Sequence, residues 1–130
     1  MTTALDTDYV RFELDGNLLI ATYKKGKKIN LEAAHQIVKD RLDFTQSRPV
    51  LTLLCNQGVI SFDKDARSFL TSPESSKGVK AAAILSDSSA TAIIGNFIIK
   101  VNRPEIPVRL FTSKEKAIEW LRSKSNLLIP

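Results

Sequence analysis

Two short and almost continuous apolar segments constrain the fold of this chain more than any other feature of its sequence. They lie at residues 50–55 (VLTLLC) and 79–85 (VKAAAIL). A strand that is apolar on both faces has to be covered on both, which is typical of the central strands of a parallel sheet. The sequence therefore predicts an α/β domain in which helices pack on the sheet.

The first part of the chain predicts an antiparallel hairpin. Residues 9–14 alternate between apolar and charged side chains, and residues 18–23 form a second apolar segment. Asp15 and Gly16 lie between the two segments, and glycine accepts the positive φ that a tight hairpin turn requires.

Apolar residues at helical spacing follow the hairpin and the later strands. The first such segment begins after Asn30, whose side chain is a suitable N-cap, and ends near residues 44–46. Leu31 belongs to its apolar stripe. A second helix is predicted over residues 64–70 and a third over residues 90–101.

The C-terminal part predicts a short strand and a final helix. Residues 108–111 follow Pro107, which suits an edge or terminal strand. Thr112 and Glu115 match a capping box at the start of the helix. The predicted order is β-β-α-β-α-β-α-β-α, a single α/β domain over residues 1–130 with a mixed, mostly parallel five-stranded sheet.

Composition limits the class of protein. The chain has 130 residues, of which 43% are hydrophobic and 25% charged, as in an ordinary globular domain. Its single cysteine, Cys55, excludes a disulfide within the chain and fits a reducing cytoplasmic compartment. The first residues do not resemble a secretory signal, and no apolar segment is long enough to span a bilayer, so we expect no integral membrane segment.

A cluster of lysines follows the hairpin. Lys24, Lys25, Lys27 and Lys28 surround Gly26 in a chain whose formal net charge is +5. A basic cluster can favour an anionic partner. Few aromatic residues accompany this one, so we expect no nucleic-acid partner and interpret the cluster as a solvated turn after a strand.

Residues with catalytic or metal-binding chemistry are few. His35 is the only histidine, no base neighbours Cys55, and no phosphate-binding glycine motif is present. Asp63 and Asp65 lie two positions apart at a helix start, where they complement the helix dipole. A Mg²⁺ site would also need a carboxylate such as Asp87 from the next elbow. We therefore expect no enzymatic activity, no metal and no cofactor.

The strand-to-helix elbows at residues 56–63 and 86–89 are the predicted site. The carboxyl ends of adjacent parallel strands meet at one edge of a sheet, where α/β domains place their ligand sites. Free N–H groups at such an edge attract an anion or a partner's acidic residue, although ordinary helix caps are the alternative. The candidate residues of this rim are Asn56, Gln57, Ser61, Asp63, Arg67, Asp87 and Ser88.

A second surface is predicted within residues 90–101, whose apolar side chains cover more than one stripe of a helix. Such a helix is deeply buried or packs against a second molecule. Ile94, Phe97 and Ile98 are accordingly the candidate face for a homodimer or for an apolar ligand.

The element order and four segments resemble the STAS domain, the fold named after sulfate transporters and anti-sigma factor antagonists. The resemblance is closer to the uncharacterised bacterial STAS/SEC14-like proteins. The segments are DKDAR at 63–67, VKAAA at 79–83, IGNF at 94–97 and residues 107–121, which contain F-T-S-x-E-x-A-x-x-W-L. The resemblance spans about residues 8–122.

The resemblance implies a regulatory domain without enzymatic activity that binds a protein partner. In anti-sigma factor antagonists an Asp-Ser-Ser-Gly motif opens the helix after the central strand, and its serine is phosphorylated. Aligning the strand at residues 51–54 puts Asp63 in the place of that serine. The SEC14-like side of the resemblance implies the alternative of a carrier for a lipid or another apolar ligand. Of the three functions considered, a small hydrolase or transferase that uses Asp63, Asp87 and Cys55 has the least support.

Overall fold

The computed structural model describes residues 2–85 and 106–129. In these residues the chain forms eight strands, three α-helices and one 3₁₀-helix. In chain order they are β1 (Thr2–Asp6), β2 (Val10–Asp15), β3 (Leu18–Tyr23), β4 (Lys28–Ile29), α1 (Leu31–Thr45), β5 (Val50–Asn56), β6 (Ser61–Phe62), α2 (Lys64–Leu70), β7 (Val79–Leu85), β8 (Val108–Phe111), α3 (Lys114–Arg122) and the 3₁₀-helix Ser125–Leu128.

Six of these strands form one mixed sheet in the order β1-β2-β3-β5-β7-β8. The pairings from β1 to β3 are antiparallel and those from β3 to β8 are parallel, which confirms the predicted mixed, mostly parallel α/β fold. The sheet has six strands instead of five because β1 pairs along β2, with Leu5 opposite Phe12. The sequence of β1 shows no apolar alternation, so only this pairing identifies it as a strand.

The predicted hairpin between β2 and β3 is confirmed. Asp15 pairs with Leu18 at the turn, and Gly16 takes a φ of +60°, a left-handed conformation that glycine adopts without steric cost. Val10 and Phe12 are buried and Arg11 is exposed, as the alternation predicts.

The two faces of β5 contribute to two separate hydrophobic cores. Val50 packs in the first core, together with Ile37 of α1. Leu51 and Leu53 pack in the second core, together with Leu121 of α3. β5 is therefore covered on both faces, as its continuous apolar sequence predicts.

Helix α1 has the predicted cap but a different buried stripe. The Asn30 side-chain oxygen accepts a hydrogen bond from the Ala33 N–H at 2.8 Å. The prediction that Leu31 belongs to the buried stripe is wrong, because its side chain is 39% exposed. The buried positions include Ala33, Ala34, Ile37 and Val38. Leu31 is the first residue of the helix and lies at the edge of this face, about a quarter turn from its centre.

The predicted capping box of the last helix is wrong by one residue. Helix α3 begins at Lys114, so Ser113 is its N-cap, and the Ser113 hydroxyl accepts a hydrogen bond from the Lys116 N–H at 3.4 Å. Serine caps a helix about as well as threonine does. The local sequence therefore did not distinguish the Thr112 start from the observed one.

The predicted helix over residues 90–101 lies outside the described residues. Within residues 2–85 and 106–129, no helix is both long enough and apolar enough to cross a bilayer.

Candidate functional site

Two loops run side by side beyond the carboxyl ends of β3 and β5. Four residues separate β3 from β4, and four separate β5 from β6. Beyond them, the parallel pairing of β3 with β5 continues as a pairing of β4 with β6. The partner is 33 positions further along the chain in every pair: Leu18 faces Leu51, Tyr23 faces Asn56, Lys28 faces Ser61 and Ile29 faces Phe62. The two loops have equal lengths, and we call residues 24–28 and 57–61 the paired loops.

Backbone hydrogen bonds hold the paired loops together. The N–H groups donate to carbonyls across the gap in three places: Gln57 to Tyr23 at 2.9 Å, Gly26 to Gly58 at 2.9 Å, and Ile60 to Lys27 at 2.8 Å. Gly26 and Gly58 have φ values of +79° and +130°, which glycine adopts without steric cost. The lysine cluster, which the sequence suggested was a separate solvated turn, is therefore part of the same rim as the elbow.

Two candidate residues of the rim bind the backbone of the elbow itself. The Asn56 side-chain oxygen accepts hydrogen bonds from the N–H groups of Gly58 and Val59, both at 2.9 Å. One Asp63 carboxylate oxygen accepts a hydrogen bond from the Ala66 N–H at 2.8 Å and so caps α2. Asn56 therefore shapes the loop and Asp63 starts the helix, which leaves these oxygens occupied.

Three other candidate residues present their side chains to solvent. Gln57, Ser61 and Arg67 are all exposed. The Arg67 Nη1 donates to the Phe62 carbonyl at 3.2 Å, which holds the guanidinium close to β6. The structure thus places Gln57 and Ser61 within the paired loops and Arg67 beside them.

The lysines of the paired loops differ in their contacts. Lys24 pairs with Asp6 at 2.9 Å and also donates to the Thr7 carbonyl. The hydrogen bond from Lys24 lowers the pKa of the Asp6 carboxyl. The other three, Lys25, Lys27 and Lys28, form no ion pair with any residue of the described ranges.

An exposed isoleucine lies opposite Lys27 in the second of the paired loops. Ile60 is 63% exposed although its N–H is bonded to Lys27, whereas its neighbours Val59 and Phe62 pack against the first core. Leu31, at the start of α1, is a second exposed apolar residue near this end of the sheet. Ile60 was not predicted as a site residue, because an apolar residue just before a helix is ordinarily a core residue.

Two aromatic rings pack below the paired loops. The rings of Tyr23 and Phe62 lie 5.7 Å apart between centroids, and both side chains pack against the first core. Burial raises the pKa of Tyr23 to about 12, against a small opposing effect of the Arg41 charge. The paired loops therefore adjoin two packed aromatic rings. The Tyr23 hydroxyl stays neutral well above physiological pH.

Several predicted site residues lie outside the described residues. They are Asp87 and Ser88 of the second elbow and Ile94, Phe97 and Ile98 of the predicted apolar face. The predicted adjacency of the strands before the two elbows is confirmed, because β5 and β7 are parallel neighbours with Cys55 opposite Leu85.

The described residues contain no group of three or more His, Cys, Asp or Glu side chains that could hold a metal ion. His35 is exposed on α1. The centroid of its ring lies 3.9 Å from that of the Phe69 ring, so the imidazole packs against α2. Cys55 is half-buried and packs against the second core.

Comparisons with known proteins identify the fold. A family model described as "Domain of unknown function (DUF7793)" matches residues 12–125, and no curated protein matches the chain. Among solved structures, the chain is similar to an uncharacterized protein of the DUF3478 family with a SpoIIAA-like fold from Shewanella loihica PV-4. The match has a TM-score of 0.54 and 13% identity and covers 93% of this chain and 92% of the other. This confirms the expected STAS-like fold.

Proposed function

Because this chain belongs to the DUF7793 family of unknown function, we propose its role from the residues of the rim. The protein is a non-enzymatic regulatory module that binds a protein partner. The contact surface consists of the paired loops and the start of α2. The observation that carries the proposal is Ile60, which is 63% exposed on a loop whose backbone is hydrogen-bonded to its neighbour.

A fixed, exposed apolar side chain suits a binding surface. The hydrogen bond from the Ile60 N–H to the Lys27 carbonyl fixes the backbone at this position, and the exposed side chain is available to a partner. The rim also lies beyond the carboxyl ends of two parallel strands, where α/β domains place their binding sites. Chemistry for catalysis has less support, because the Asn56 side-chain oxygen and one Asp63 carboxylate oxygen already accept hydrogen bonds from the backbone of the elbow.

The module we propose does not depend on phosphorylation of the position that related proteins modify. Asp63 takes that position, and its carboxylate caps α2. A carboxylate brings one negative charge where phosphate would bring nearly two. The rim therefore binds its partner in one constant chemical state.

Site-specific photo-crosslinking in the source cells tests the proposal. A photo-reactive amino acid replaces Gln57, which is exposed in the paired loops, and in a control replaces Asp43, which is exposed on α1. We expect a protein adduct of defined mass from position 57 and none from position 43. Absence of any adduct at position 57, from a variant with a normal circular dichroism spectrum, contradicts the proposal.

The alternative of a carrier for a lipid or other apolar ligand rests on Ile94, Phe97 and Ile98, outside the described residues. Native mass spectrometry of the purified protein decides it, since a carrier retains a co-purified ligand. The same residues support our hypothesis of a homodimer, which light scattering tests against the monomer mass of 14.4 kDa. We also propose a cytoplasmic location, from the single cysteine.

A further inference from the structure

We propose that the paired loops bind an acidic protein segment that carries an apolar side chain. Lys25, Lys27 and Lys28 face the carboxylates of this segment, and Ile60 contacts its apolar side chain. The inference rests on the proposed function and deepens it by naming the chemistry of the partner.

Charge on the paired loops has one sign. Residues 24–28 have the sequence KKGKK and residues 57–61 have the sequence QGVIS, so the two loops contain four lysines and no acidic residue. Only Lys24 of the four forms an ion pair among the described residues. The other three lysines have no ion-pair partner within residues 2–85 and 106–129, and complementary charge on a partner would speed and orient association.

The loops are held in place before a partner arrives. The hydrogen bonds of Gly26 with Gly58 and of Ile60 with Lys27 measure 2.9 and 2.8 Å. A Cβ atom at Gly58 would lie 3.4 Å from the Cγ of Lys25, so the Lys25 side chain passes close to the opposite loop. Holding the charged and apolar groups together in advance reduces the entropy that binding would otherwise lose.

The charges next to the loops favour a discrete acidic segment over a uniformly anionic surface. Asp63 and Asp65 are exposed just beyond β6 and alternate with the exposed Lys64 and Arg67, so the positive charge of the loops does not extend over this part of the surface, as a flat anionic membrane would require. A peptide can place its carboxylates on the lysines and avoid the two aspartates. Nucleic acid is disfavoured because Tyr23 and Phe62 pack against the first core and offer no open stacking platform.

The closing experiment repeats the crosslinking at position 57 in three further variants of the full chain. One carries Lys25→Glu and Lys27→Glu, the second carries Ile60→Ser, and a matched control carries Lys114→Glu and Lys116→Glu on α3. We expect the adduct yield to fall about tenfold or more in the first two and to stay unchanged in the control. Mass spectrometry of the adduct should map the crosslink to a segment with acidic residues around an apolar one.

Each outcome has a distinct meaning. If position 57 gives no adduct even in the unmodified background, both the proposed function and this inference are overturned. An adduct that survives the Lys25→Glu and Lys27→Glu changes overturns only the inference. An adduct removed by nuclease, or charge-dependent sedimentation of the protein with phosphatidylserine vesicles but not with phosphatidylcholine vesicles, contradicts a protein partner and so overturns both. Circular dichroism of every variant confirms that it is folded.

Discussion

Asp63 has a structural role at the position that the resemblance to anti-sigma factor antagonists aligns with a phosphorylated serine. It precedes α2, a helix of only seven residues, and its carboxylate accepts a hydrogen bond from Ala66. Serine is also a good N-cap. Aspartate and serine at this position would therefore both cap α2, and they differ in charge.

This role predicts different effects for two substitutions. Asp63→Ala removes the cap and should lower the free energy of unfolding by about 1 kcal/mol, whereas Asp63→Ser keeps it and should change that free energy by less than about 0.5 kcal/mol. Urea denaturation measures both, with Ser68→Ala on the exposed side of α2 as the control. Equal losses for Ala and Ser would show that the charge matters and the cap does not.

Tyr23 should make stability depend on pH in the alkaline range. Burial raises its pKa in the folded chain to about 12 from the ordinary tyrosine value of 10.0, which we use for the unfolded chain. Between these values the unfolded chain loses the phenol proton and the folded chain keeps it, so stability is full below about pH 10 and falls as pH rises. The loss from this group should reach about 2 to 3 kcal/mol near pH 12.

Urea midpoints measured from about pH 9 to pH 12 test this linkage. Tyr23→Phe should flatten the decline relative to the unmodified chain, and Tyr9→Phe, which removes the other tyrosine hydroxyl, serves as the control. Lysines also titrate in this range, so the difference between the variants is the relevant quantity. Parallel curves for Tyr23→Phe and the unmodified chain would show that burial does not perturb this hydroxyl.

Among the elements, the paired loops depend on one backbone position. Gly58 has a φ of +130°, a conformation that is essentially limited to glycine. Its carbonyl accepts the hydrogen bond from Gly26, so strain at Gly58 acts directly on the link between the loops.

Gly58→Ala should therefore destabilise the chain by about 1 to 3 kcal/mol and loosen the paired loops. Hydrogen exchange should show faster exchange of the Gly26 and Ile60 amides in this variant. The control is Gly16→Asn, because Gly16 has a φ of +60° with no atom near its missing Cβ, and asparagine tolerates that conformation. Unchanged exchange at both amides in Gly58→Ala would contradict the importance of this position.

At the scale of the whole molecule, the two cores share the central strand β5. Val50 belongs to the first core, and Leu51 and Leu53 belong to the second. Loss of either core would expose one face of β5 to water, so we infer that neither core persists without the other.

This arrangement predicts a single cooperative unfolding transition. The only tryptophan, Trp120, packs against the second core, so its fluorescence reports that side of the sheet, whereas far-ultraviolet circular dichroism reports all elements. The two signals should give the same urea midpoint. Separate midpoints would show that the cores unfold independently.

Local patterns in the sequence were sufficient to predict much of the fold. The continuous apolar character of β5, the turn at Gly16 and the cap at Asn30 each depend on neighbouring residues, and each was predicted correctly. The start of α3 was missed by one residue because Thr112 and Ser113 are both suitable caps. The strand β1 was missed because only its partner β2 makes it a strand.

The location of the candidate site could be predicted from the sequence, whereas only the tertiary structure showed which residues meet there. Strand order alone placed a rim beyond the end of β5, since the carboxyl ends of parallel strands meet at one edge. Only the pairing of β3 with β5, at a separation of 33 positions, brought the lysine cluster beside Ile60. Register between distant segments comes from packing of the whole sheet, and no local pattern in either loop encodes it.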